Sequence, residues 1–153
     1  MKRFAILCAV ACFAWACGTP PVPRTIVNSF PIDKSLDKVW PAVIETFAEL
    51  NLPIMNMAKD SGLITTDWID FRGQNDETGY CACGTARFPL SEVGRRGKFN
   101  VFIKKTADDS VEMKVNAVFE KISQYENNIE NTACVSTGKL EGEIFKRVSD
   151  KIK

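Results

Sequence analysis

The sequence predicts an α+β domain: a curved antiparallel sheet of about five strands covered by two helices, in the order β-α-β-β-β-β-α. Three observations predict it. Leu36, Val39, Trp40, Val43, Ile44, Phe47 and Ala48 recur at three- and four-residue steps, the period of an amphipathic helix. Val111, Met113, Val115, Ala117 and Phe119 alternate with Glu112, Lys114, Asn116 and Glu120, the period of a strand with one buried face. Leu140, Ile144, Val148 and Ile152 recur at four-residue steps near the C-terminus. Two apolar helix faces and a set of one-sided strands bury one another most economically with both helices on one side of one sheet.

Each element follows in order. Residues 25–32 are β-branched and apolar at their start and read as a first strand, at an edge because Pro31 has no N–H for a ladder. Ser35 is the expected N-cap of the first helix, and Asp37 sits in its first turn where the helix dipole favours an acid. Pro41 should bend that helix early, and the helix should stop near Asn51, before Pro53. Asp60-Ser61-Gly62 is a turn between strands at 53–59 and 63–70. Residues 71–79 are polar and Gly-rich, hence loop. A short strand is expected around 82–88, and Gly94-Arg95-Arg96-Gly97 reads as a turn with a basic tip. Strands at 98–105 and 111–122 flank a loop at 107–110. Residues 123–133 read as an Asn-rich loop, and the last helix begins at Ser136. No internal repeat appears, so residues 25–153 form a single domain.

The N-terminus has a different character. Met1-Lys2-Arg3 precedes about a dozen apolar residues and then small residues, the tripartite pattern of an export signal covering residues 1–16. The apolar run is shorter than the roughly 20 residues a membrane-spanning helix needs. Ala14-Trp15-Ala16 fits an ordinary cleavage site that leaves Cys17 as the first mature residue. The same stretch resembles a bacterial lipobox, in which a small residue precedes a cysteine. That resemblance implies a diacylglyceryl thioether on Cys17 and an acylated new N-terminus. Gly18 after it, rather than Asp, implies the outer membrane of a Gram-negative cell, with the domain on the periplasmic face. One acyl chain binds a bilayer only marginally, whereas several hold it durably. Residues 17–24, rich in proline, then form a short, stiff spacer between lipid and domain.

Composition narrows the function. Apolar residues make up 45% and charged residues 25%, the balance of an ordinary globular domain. Net charge is +1, and the 20 basic residues fall to 18 against 19 acidic ones once Lys2 and Arg3 leave with the signal. That is no nucleic-acid binder's charge. Histidine is absent, which removes His-based nucleophile activation and His-ligated zinc. No cofactor or metal site and no enzymatic activity are expected. Ser136-Thr137-Gly138-Lys139 lacks the upstream glycine and following hydroxyl of a phosphate loop. Arg95, Arg96 and Lys98 could meet an anionic lipid or acidic partner, though a solvated turn explains them more simply. Met55, Met57, Trp68 and Trp40 could line an apolar pocket or pack the core.

Cysteines are the most specific local feature. In an oxidising compartment Cys134 should pair with Cys83 or, alternatively, Cys81. If Cys17 is lipidated, three cysteines remain in the mature chain and one stays outside an intramolecular bridge; if not, four remain and could form two.

The residues 30–40 (FPIDKSLDKVW), 60–68 (DSGLITTDW), 98–103 (KFNVFI) and 136–141 (STGKLE), behind a lipobox and a proline spacer, resemble the BamC (NlpB-type) family of outer-membrane lipoproteins. The resemblance implies a helix-grip-like domain over residues 25–153. It also implies a non-enzymatic accessory or scaffold in outer-membrane protein assembly, with barrel-assembly or other envelope proteins as partners. The alternative reading is a periplasmic binding protein for a small hydrophobic ligand, because such folds can enclose cavities.

Overall fold

The computed structural model describes residues 19–71, 79–85 and 89–153. The expected signal peptide 1–16, Cys17, residues 72–78 of the expected loop and residues 86–88 of the expected short strand lie outside the described residues. The elements are β1 (Ser29–Ile32), α1 (Leu36–Glu49), β2 (Ile54–Ala58), β3 (Leu63–Thr66), β4 (Ile69–Phe71), β5 (Cys81–Ala82), β6 (Ser91–Ala107), β7 (Ser110–Tyr125), β8 (Asn128–Ser136) and α2 (Lys139–Lys151).

A long hairpin is the spine. β6 and β7 pair antiparallel from Ser91↔Gln124 to Ala107↔Ser110. The free edge of β6 carries β3 at residues 100–102 and β4 at residues 95–97, with β2 outside β3. The free edge of β7 carries β1 at residues 111–114 and β8 at residues 119–125, with β5 outside β8. Phe99, Val101 and Ile103 of β6 and Val111, Met113, Val115 and Phe119 of β7 point inward and are buried. They share one apolar cluster with Val39, Val43 and Phe47 of α1 and Ile144 and Val148 of α2. Lys151 Nζ reaches Glu49 Oε1 at 2.5 Å across the two helices, and Phe30 stacks on Phe145 at 4.3 Å.

The predicted five-stranded, helix-grip-like fold is corrected by this topology. The sheet has eight strands, and strand rather than helix dominates the described residues. Two misread segments account for much of the difference. Residues 94–97 are not a turn but lie in the first half of β6, just after an irregularity in its pairing between Glu92 and Gly94. Gly97 is there because its inward position is filled by rings: a Cβ would stand 2.7 Å from Phe119 Cδ1 and 2.8 Å from Phe71 Cε2. A glycine inside a strand often marks such a close approach. Residues 123–133 are not a loop either. β7 runs on to Tyr125, turns through Glu126 and Asn127, and returns as β8. Glu126 takes the left-handed conformation (φ 51°) that hairpin turns usually give to Gly, Asn or Asp, so the usual turn signal is missing. The last helix starts at Lys139 rather than Ser136, which ends β8. Pro41 lies inside α1, which continues through it to Glu49.

Gly97→Ala therefore forces Phe119 or Phe71 off its packing position. Urea unfolding should show a loss of about 1–3 kcal/mol, the usual range for overpacking a filled core. No measurable loss would mean the rings have room to move.

Candidate functional site

The cysteines and two buried charges meet at the β5 end of the sheet. Cys81 pairs with Ser136 and Ala82 with Val135. Side chains alternate along extended chain, so Cys81 and Cys83 share one face, as do Cys134 and Ser136. One step beyond the ladder brings Cys83 opposite Cys134, and the two are bridged with their Cα atoms 4.4 Å apart. Cys81 is buried, with its Sγ 3.8 Å from Cys83 Sγ. All three sulfurs lie within 4.8 Å of one another.

The charges come from the inward faces of β7 and α2. Past Phe119 the inward positions of β7 are Lys121 and Ser123, both buried. Lys121 is 1% exposed, and its ammonium donates to the carbonyl oxygen of Gly84, the residue after Cys83. Glu141 in the first turn of α2 is 0% exposed. Ser136 Oγ donates to Glu141 Oε1 at 2.7 Å and accepts from Gly138 N at 3.1 Å. Gly138 adopts φ 83°, which turns the chain from β8 into α2 and brings Glu141 back over Ser136. Glu141 Oε2 and Ser123 Oγ have no hydrogen-bond partner among the described residues. Burying an ammonium and a carboxylate is costly unless each is well bonded, so such groups mark candidate sites.

The surroundings hold this cluster in place. Thr137 Oγ1 donates to the Gly79 and Tyr80 carbonyls at 2.6 and 3.1 Å. Tyr80 OH donates to Glu143 Oε2 at 2.8 Å. That hydrogen bond, with Arg147 adding its own, holds the Glu143 carboxyl below the usual glutamate range. Thr19 N donates to Thr85 Oγ1 at 2.9 Å, and Thr19 O leaves no space for a Cβ on Gly84. The start of the described chain is thus seated beside the bridge.

The structure disperses the other residues singled out in the sequence. Met55 and Met57 are 67% and 58% exposed on β2. Trp40 packs against the core, while Trp68 lies under Arg96 and Lys98, whose cationic groups are 4.5 and 4.7 Å from its ring centroid. Arg95 pairs with Glu92 and Arg96 with Glu120 within the sheet. An apolar cavity between the segment after α1, the sheet and α2 measures about 200 Å³, lined by Leu52, Ile69, Phe71, Phe99 and Ile144 among others. That lies below the roughly 300–1,000 Å³ of small-molecule pockets. Lys121, Ser136 and Glu141 were missed as site residues. Continuing the inward alternation of β7 past Phe119 would have found the first.

No protein-family model matches the chain, and a search of curated proteins finds no match to it.

Two outcomes follow. Cys83→Ser, opening a loop with a sequence separation of 51, should lower stability by about 4 kcal/mol in urea unfolding. Tyr80→Phe removes the main cause of the lowered Glu143 pKa. A lowered carboxylate pKa stabilises the fold above its unfolded value and stops doing so as pH falls through the folded value. The stability gap between wild type and Tyr80→Phe should be widest at neutral pH and narrow below the ordinary glutamate value of 4.5. A gap that does not change with pH would reject this linkage.

Proposed function

We propose that the protein is exported, anchored by lipid on Cys17, and works without catalysis by binding other envelope proteins. In this reading it is an accessory or scaffold in outer-membrane protein assembly or envelope maintenance. The leader ending at Cys17 carries the proposal: a basic start, a short apolar run and small residues directly before a cysteine. The Cys83–Cys134 bridge supports the same compartment, because disulfides persist where the surroundings are oxidising. The hold of Thr85 on Thr19, two residues after Cys17, suits a short tether that keeps the domain close to the bilayer.

Protein binding has support in the sheet's outer face. Both helices pack on the inner face, leaving Trp68 with Arg96 and Lys98, and the exposed Phe102 and Val118, on the other. Aromatic residues and arginine are enriched in protein interfaces.

Fractionation with intact-mass measurement tests the anchor. Wild type should sediment with membranes and carry added diacylglyceryl and acyl mass, while Cys17→Ala should lose both. A wild-type protein that stays soluble at its unlipidated mass would sink the proposal. Cross-linking from the anchored protein, compared with Trp68→Ala, should show a partner adduct that the variant loses at least severalfold.

A further inference from the structure

We propose that Cys81, Cys83 and Cys134 form a disulfide-exchange site, in which the Cys81 thiol displaces Cys134 from the bridge to Cys83. The inference goes beyond the envelope role and does not depend on lipid at Cys17.

Three observations carry it together. The Cys81 sulfur lies 3.8 Å from Cys83 Sγ, close to contact distance, with Cys134 Sγ inside the same 4.8 Å group. Exchange proceeds by attack of a thiolate on one disulfide sulfur, so it needs a third sulfur within reach of the bridge, which Cys81 supplies. A buried carboxylate is close by: Glu141 is hydrogen-bonded to Ser136, the ladder partner of Cys81, and its Oε2 has no partner among the described residues. Lys121, a buried cation, is bonded to the carbonyl of the residue following Cys83. Positive charge near a sulfur favours the thiolate. A bridge serving only to staple β8 would need neither charge.

The step balances within the protein. Cys81 gives its proton to the Glu141 carboxylate by way of the Ser136 hydroxyl. Its sulfur then bonds to Cys83 Sγ as the Cys83–Cys134 bond breaks. The electron pair leaves on Cys134, which takes the proton back. Nothing is oxidised or reduced overall. The result is a Cys81–Cys83 bridge and a thiol on Cys134, so β8 is released from its covalent tie to the segment before β6.

The test uses the full chain. Native protein is held near pH 8, quenched with acid to stop exchange, unfolded, labelled with a maleimide and mapped by peptide, which separates these cysteines from Cys8, Cys12 and Cys17. The expected result is label at Cys134 rising at least about fivefold over a control kept acidic, with a matching loss at Cys81. Glu141→Gln should slow that transfer without removing the starting bridge. As a second measurement, Cys134→Ser treated with a small disulfide oxidant should lose two hydrogens and take no label at Cys81 or Cys83. Label that stays at Cys81 and does not reach Cys134 in the wild type after a day at pH 8 overturns the proposal. So does a Cys134→Ser chain that keeps both thiols through oxidation.

Discussion

The β6–β7 ladder is the contact on which the rest of the fold depends. Every other strand except β2 and β5 hydrogen-bonds directly to one of these two, and those two attach through β3 and β8. Both helices lie on the inward residues of this pair. Register is therefore critical: slipping one residue would turn Val111, Met113 and Val115 to solvent and bring Glu112 and Lys114 inside. The apolar near half of the hairpin makes that slip prohibitive. Once its register is set there, β7 carries the same alternation on through Lys121 and Ser123, while β6 breaks step between Glu92 and Gly94.

That division explains what the sequence disclosed and what it hid. The near half was legible because Val111 to Phe119 alternates cleanly, and α1 because its apolar stripe is unbroken. Beyond Phe119 the strand continues but the hydrophobic signal stops, since Lys121 and Ser123 occupy the next inward positions. Gly94 and Gly97 punctuated β6 in the same way, although Gly97 serves ring packing rather than a turn. The hairpin turn at Glu126 carries no glycine to announce it. Period-two reasoning fails where polar side chains face inward, and those are the positions that form the candidate site. The pairing of Cys134 with Cys83 or Cys81 could not be chosen from spacing, because a C-x-C pair puts both sulfurs on one face. Only the offset between β5 and β8 separates the opposite cysteine from the diagonal one.

The inner face of the sheet thus has two ends of different chemistry. At one, α1 and α2 press aliphatic and aromatic side chains onto the hairpin. At the other, a short strand and the segment at Thr19 lie beside a lysine, a carboxylate and three sulfurs. β5 has only two residues, too few to hold that end by its own ladder. That end is held by other bonds: the bridge to β8, Thr137 on the Gly79 and Tyr80 carbonyls, Lys121 on Gly84, and Thr19 on Thr85.

The buried charges bear on what that end is for. A buried ion is often replaceable by an apolar residue of similar volume at no loss, or even a gain, in stability. A methionine at position 121 and a leucine at 141 would fit the apolar logic of the neighbouring core. Their polar counterparts are instead bonded to the two segments flanking the sulfur cluster: Lys121 to the chain leaving Cys83, and Glu141 to the strand residue facing Cys81. The first ties β7 to the segment after Cys83, and the second ties the first turn of α2 to the end of β8. Both would respond directly if the bridge moved from Cys134 to Cys81, because each touches a residue adjacent to the rearranging sulfurs. Thr19 in turn packs on Gly84 and bonds to Thr85, the two residues that follow Cys83, so the N-terminal segment sits directly beside the same bridge.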